Sequence, residues 1–406
     1  MGAVDAAPAG SASALRVFLL LLKSNIGTGA LFLPSAFQDG GFAFSIVLLI
    51  VLAYLSTVGM VLLAKTNLIV PGSFEEMGKK IYGRVMHGLI LGSVALSQIG
   101  FASAYTLFVA SNTIEFVRRV TDGAVILQTW HLILIQLCLY IPFAMVRQIK
   151  NFAAFSLMGN VFVLFGLGVI VYTSIAQIAT HGVGPDIMMF NSKHFALFIG
   201  TAVYTYEGVG LVVPVAQSMK NPQKFPLVLS LALVVTTMVY LVVASCGYLA
   251  FGSNIKTIAL FNLPEGPFSS SIYILYIIAI VLSWPLILFP ATVIVQGAIL
   301  PPVDPDSKQQ VRGANWSPTK RYWAENGVRT CLVLFVAGIA WVAGDKLNLL
   351  VSLIGGFGCV PLSFIYPALL HMKTFPEQGV FGRFMDWFLV VVGTVSTIYV
   401  TVMTFV

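Results

Sequence analysis

Two short stretches constrain this chain more than anything else in it. One is Lys23-Ser24-Asn25-Ile26-Gly27-Thr28-Gly29, the other Tyr204-Thr205-Tyr206-Glu207-Gly208-Val209-Gly210. Each lies inside an apolar segment long enough to cross a bilayer. Each sets two glycines one residue apart, and each is followed by a proline, Pro34 or Pro214. Backbone in hydrocarbon must satisfy its own hydrogen bonds, so a polar Gly-x-Gly at mid-span needs a reason. Close helix packing through small residues is one. Local unwinding is the other, and two interrupted spans in corresponding halves of a chain point to a midplane substrate site in a secondary transporter.

The setting is a membrane. The chain is 58% hydrophobic and only 9% charged, with a mean hydropathy of +0.94, whereas soluble domains carry about 25% charged residues. The net charge of +7 does not argue for nucleic acid, because the basic residues lie between apolar runs. Cys138, Cys246, Cys331 and Cys359 all fall within apolar segments and lack metal-ligand spacing. They read as buried thiols, not as a disulfide framework. The first apolar run has no cleavage site behind it and is expected to stay as a spanning helix.

A spanning helix needs about 20 mostly apolar residues. Eleven segments qualify: 15–37, 43–64, 85–116, 124–145, 152–179, 195–216, 225–251, 268–300, 326–343, 347–371 and 384–406. Of the twenty-two Lys and Arg residues, Lys23 lies inside a span, and Arg118, Arg119, Lys193, Lys256 and Lys346 fall in gaps on one side. The other sixteen lie on the opposite side, which the positive-inside rule makes cytosolic together with the N-terminus. Residues 1–14 then form a short cytosolic segment ahead of one transmembrane domain at 15–406. The sequon Asn315-Trp316-Ser317 falls in a cytosolic connector at 301–325 and is expected to be unused.

Unwinding frees amides and carbonyls at the midplane. The helix start after a break offers unpaired N–H donors and a partial positive charge, which suit a carboxylate. The carbonyls before a break suit an ammonium group. Gly27, Thr28 and Gly29 are the carboxylate candidates, and the carbonyls around Ser24, Asn25, Tyr204 and Thr205 the ammonium candidates. Tyr206 and Gly208 complete the candidate site. A clamp with both halves matches a free α-amino acid, and the lack of a further unpaired charge favours neutral side chains.

Lys23 and Glu207 are the charges set deep in spans, so they are candidates for gating or coupling. Glu207 is read either as a tie for the broken helix or as a proton carrier. Lys23 is read either as snorkelling to the interface or as a gate. Gln98, Tyr105 and Ser283 are candidate pocket-lining groups, with interhelical hydrogen bonding as the plainer reading. No metal site, cofactor or catalytic constellation is implied.

These motifs carry a resemblance. Leu22-Lys23-Ser24-Asn25-Ile26-Gly27-Thr28-Gly29-Ala30-Leu31-Phe32-Leu33-Pro34, and Gly200 to Gly210 followed by Pro214 and Met219-Lys220-Asn221-Pro222, resemble the first- and sixth-helix signatures of the amino acid/auxin permease family. The branch resembled is that of vacuolar amino-acid exporters and proton-coupled amino-acid transporters. The resemblance implies an all-α LeuT-type membrane fold. Its eleven transmembrane helices would form a 5+5 inverted repeat, about 15–180 and 194–371, with broken helices one and six and an added helix at 384–406. It implies a monomeric secondary transporter in a vacuolar or lysosomal membrane, with the plasma membrane as the alternative. Such a protein moves amino acids toward the cytosol by alternating access, with protons as the coupling ion. Some proton-coupled relatives carry a histidine where this chain has Leu20, so coupling through that position is not expected here. An uncoupled facilitative carrier and an amino-acid sensor remain the alternatives.

Overall fold

Ser13 opens the first helix. Its hydroxyl accepts the Arg16 amide at 3.3 Å, an N-cap that starts α1 (Ala14–Asn25). The helix stops at the first Gly-x-Gly. Ile26 is extended, Gly27 follows at φ −129° and ψ −165°, and a 3₁₀ turn (Thr28–Leu31) leads into α2 (Leu33–Gly40). Pro34 sits in the first turn of α2, where its missing N–H costs no helical bond. The computed structural model describes residues 10–147, 150–300 and 317–405. Most of the N-terminal segment, most of the connector at 301–325, and Asn315 and Trp316 of the sequon lie outside them.

The rest of the described chain is also helical: α3 (Phe42–Ile69), α4 (Phe74–Tyr82), α5 (Arg84–Val120), α6 (Thr129–Met145) and α7 (Lys150–His181). The second broken span follows as α8 (Phe195–Thr205) and α9 (Val209–Ser218), then α10 (Phe225–Phe251), α11 (Pro267–Ile299) and α12 (Pro318–Ala343). Last come α13 (Leu347–Leu353), α14 (Tyr366–Thr374) and α15 (Val380–Phe405). Among the described residues, nine helical stretches are long and apolar enough to cross a membrane.

Several ends differ from expectation. α5 reaches Val120 because Glu115 binds Arg118 and Arg119 along the helix, at 2.8 and 2.9 Å, and carries it past the apolar run. α12 starts eight residues early, at Pro318, behind a Ser317 cap on the Lys320 amide. α6 is shorter than expected, because 124–128 is non-helical. α4 was not expected at all. It is nine residues long, with Phe74 and Met77 buried and Glu75, Glu76, Lys79 and Lys80 on the helix, too short and too charged for a hydropathy reading.

Between α13 and α14 the chain is π-helical over Ile354–Cys359 and Pro361–Ile365. Single-turn π segments are rare and gather at functional sites. Here glycines bring backbones together: a Cβ at Gly355 would overlap the Gly200 carbonyl of α8, and one at Gly200 would overlap the Ser352 carbonyl of α13. That is small-residue packing, as membrane helices use it.

Burial corrects the cysteine reading. All four thiols are free, but Cys138 and Cys331 are exposed and only Cys359 is buried. An apolar segment in a bilayer faces lipid on one side, so apolar context does not mean interior. Asp386 runs the other way. It sits at the edge of the eleventh apolar segment, yet is fully buried, with its carboxylate 3.0 Å from His371 Nδ1 and accepting from Gln378 Nε2 at 2.6 Å.

Both ends of the bundle are tied. The N-terminal segment makes a single parallel bridge to the chain leaving α9, with Ala12 N–H donating to the Ser218 carbonyl (2.9 Å) and Lys220 N–H to the Ala12 carbonyl (3.0 Å). At the opposite end Arg119 donates to the carbonyls of Phe261 and Leu263, each at 2.9 Å, and holds the α10–α11 loop on α5. Ser35 on α2 reaches the same loop through the Thr257 carbonyl at 3.0 Å.

Candidate substrate site between two broken helices

The two breaks lie side by side. A Cβ at Gly29 would come within 3.1 Å of the Thr205 Cα and side chain, and one at Gly208 within 2.9 Å of Asn25 Oδ1. The smallness of these two glycines is spent on bringing the broken segments into contact. Gly27 differs. A Cβ there meets no heavy atom within 4 Å, and its φ is open to any residue. Close packing therefore does not account for Gly27; open space lies beside it.

A residue outside the two motifs joins them. Tyr240 of α10 is fully buried, and its hydroxyl donates to the Asn25 carbonyl at 2.5 Å and lies 3.3 Å from the Thr205 carbonyl. One phenol thus meets carbonyls from both breaks. Sequence reasoning passed over it, although a tyrosine amid the aliphatic run of the seventh span was the available signal. Asn25 itself donates to the Leu21 carbonyl at 2.8 Å and leaves Oδ1 buried without a partner.

The other candidates fall into two groups. Thr28 donates to the Tyr105 hydroxyl at 3.2 Å, which brings the third span to the first break. The Tyr204 ring packs edge-on to Phe101 (4.9 Å) and Phe32 (6.3 Å), forming an aromatic wall beside the break. Glu207 is half-buried at the second break. No hydrogen bond or ion pair from its carboxylate is seen among the described residues. Lys23 and Ser24 lie one turn before the first break and are half-buried; the Lys23 carbonyl accepts from Asn160 Nδ2 at 3.4 Å.

Two candidates serve other contacts, and a third has no hydrogen bond from its side chain among the described residues. Tyr206 is fully buried, donates to Thr237 at 3.0 Å and packs its ring on Tyr240, so it ties α10 to the break. Ser283 returns its hydroxyl to the Ala279 carbonyl at 2.7 Å and faces Gly159 on α7. Gln98 is half-buried on α5.

Accessibility is lopsided. Every residue of α8 is buried except the half-buried Phe195 and Ile199, and α2 is mostly buried. On the α1/α9 side, Lys23, Ser24, Gly27, Glu207 and Gly208 are all half-exposed and Gly210 is exposed.

Two broken spans lying side by side, with polar backbone turned toward open space, are the arrangement that frames a midplane substrate site in secondary-transporter folds. The family comparison agrees: residues 10–406 match the family described as transmembrane amino acid transporter protein, and the chain belongs to it. It is 37% identical over 399 residues to vacuolar amino acid transporter 3 of Schizosaccharomyces pombe, covering 98% of this chain and 58% of that protein. It is 38% identical over 415 residues to vacuolar amino acid transporter 4 of Saccharomyces cerevisiae, covering 96% and 58%. The chain thus spans a little over half the length of these relatives. Among solved structures it resembles an inward-facing conformation of Mhp1 (TM-score 0.61, 13% identity, 98% and 89% coverage). It also resembles MhsT in complex with L-phenylalanine (TM-score 0.56, 12% identity, 98% and 100% coverage). At such low identity these likenesses establish the fold alone: a LeuT-type multi-pass membrane protein.

Proposed function

We propose that this chain carries neutral amino acids across a vacuolar-type membrane by alternating access, with the α-carboxylate and α-ammonium held between the two breaks. The observation that carries this reading is the convergence at Tyr240. The Asn25 and Thr205 carbonyls, the acceptors an ammonium needs, point at one spot where a single hydroxyl now sits. The first amides after the Gly27 break supply donors for the carboxylate beside open space. The relatives' printed names support the substrate class.

The helices support eleven spans, read with the two broken pairs and the π-interrupted Leu347–Thr374 stretch as one span each. Under the 5+5 repeat, α1–α2 answers to α8–α9. The charge bias places the α1/α9 side in the cytosol. The half-exposed break residues on that side, with the α10–α11 loop held down at the other, support a state open toward the cytosol. Glu207 is the proposed proton carrier, being a carboxylate at the break without a fixed partner.

Uptake of a panel of radiolabelled amino acids into proteoliposomes, with and without an imposed pH gradient, tests this. We expect uptake of neutral amino acids that follows the gradient in the parent protein and loses that dependence in Glu207→Gln. Gradient-independent uptake would leave facilitated transport, and no uptake by folded protein would overturn the transporter reading.

A further inference from the structure

A carrier gives net transport only if it can also return without cargo, whereas exchange of one substrate for another needs no such step. The unloaded return takes both breaks through a state closed to water on either side. There a buried carbonyl without a donor is costly. Whatever serves the carbonyls of the breaks when no ammonium is bound therefore decides between net transport and exchange.

Asn25 and Thr205 are the last residues of α1 and α8, so their carbonyls have no helical amide ahead of them. Among the described residues no backbone N–H bonds to either. Both residues are buried, at 6% and 5% exposure. Their donor is the Tyr240 hydroxyl, 2.5 Å from the first carbonyl and 3.3 Å from the second. Its place is held by packing. Tyr240 is fully buried, its ring centre lies 5.5 Å from that of Tyr206, and the Tyr206 hydroxyl donates to Thr237 one turn back on α10.

The hydroxyl is a weaker occupant than an ammonium. It brings one proton to two carbonyls, whereas an ammonium brings three donors and a charge. Asn25 Oδ1, buried and without a partner among the described residues, is an acceptor left for the third. Substrate can thus displace the hydroxyl, and the hydroxyl can resume its place once substrate leaves.

We propose that Tyr240 is a positioning residue for net transport: its hydroxyl stands in for the substrate ammonium in the unloaded carrier, and so lets the two breaks pass back through the closed state without cargo. This rests on the amino-acid-carrier reading and adds to it a kinetic class, a net transporter and not an obligatory exchanger.

Initial rates in proteoliposomes test it, with an equimolar mixture of radiolabelled L-alanine, L-leucine and L-glutamine outside. The liposomes hold either buffer or the same mixture unlabelled. The parent should take up label into buffer-filled liposomes without needing the preload. Tyr240→Phe should raise the ratio of exchange to net uptake by about 5- to 150-fold, the worth of a donor to a buried carbonyl expressed as a rate. It should also lower KM, because the ammonium no longer competes with the hydroxyl. Tyr276→Phe is the control. Its buried hydroxyl donates to the Val163 carbonyl at 2.8 Å, away from the breaks, and its loss should leave both the ratio and KM unchanged. Parent uptake that occurs only into preloaded liposomes overturns the proposal, whether or not Tyr240→Phe folds. So does a folded Tyr240→Phe protein whose two rates fall together or whose KM rises. No uptake by the folded parent in either mode overturns the carrier reading itself.

Discussion

Gly27 is the residue whose substitution best separates packing from ligand binding. A methyl group there touches nothing within 4 Å and needs no change of backbone. Replacing a glycine by alanine at a compatible φ/ψ raises stability by about 0.4–1 kcal/mol, through the unfolded chain. Gly27→Ala should therefore fold at least as well as the parent. The same methyl projects into the space assigned to the substrate carboxylate. Displacing that carboxylate from one amide loses a charge-assisted hydrogen bond worth about 1.5–3 kcal/mol, roughly 10- to 100-fold in apparent affinity. The larger Gly27→Val should abolish uptake while leaving insertion intact. Gly29→Ala is the control: its Cβ would come within 3.1 Å of three Thr205 atoms, so its cost falls on folding. The assay pairs a thermal-shift measurement on purified protein with initial uptake rates in proteoliposomes. Normal uptake with an unchanged KM in well-folded Gly27→Val would falsify the placement of the ligand against the first break.

Other outcomes follow from the same geometry. Tyr240→Phe strips the Asn25 and Thr205 carbonyls of their shared partner, at a cost of about 1–3 kcal/mol if nothing replaces it; an unchanged melting midpoint would show that the bridge is energetically idle. Gly200→Ala forces a methyl into the Ser352 carbonyl and should lose about 1–3 kcal/mol or more, seen as a low monodisperse yield on size-exclusion chromatography. Gly210→Ala, with open space around it, should give the parent's yield, and equal losses in the two would refute the packing argument. Arg119→Ala removes both ties from the α10–α11 loop and should make residues 255–266 faster to cleave by added protease, measured by fragment mass. Cleavage at the parent rate would mean that the loop is held by other contacts.

What the sequence determined by itself is what hydropathy and local interruption can encode. The apolar runs carried the helices, since a span must close its own hydrogen bonds wherever it ends up. Gly27 and Gly208 marked the breaks, because polar Gly-x-Gly in hydrocarbon is expensive unless used. The Gly344-Asp345-Lys346 gap marked a real helix end: α12 stops at Ala343 and Gly344 turns to φ 55°. The ends of α5 and α12 moved because ion pairs and a serine cap extend a helix beyond its apolar stretch, which hydropathy does not register.

Tertiary structure alone decided which polar groups face one another. Asn25 and Tyr240 stand 215 residues apart, and no local pattern announces that a phenol of the seventh span would meet carbonyls from both breaks. Tyr206 and Ser283 looked equally suited to the site and were turned to helix contacts by the rotation of their helices. The four glycines of the two motifs are alike in sequence, yet two are pressed against a neighbour and two face open space. That difference is set by how closely the helices approach, a matter of ångströms that the chain reveals only once packed.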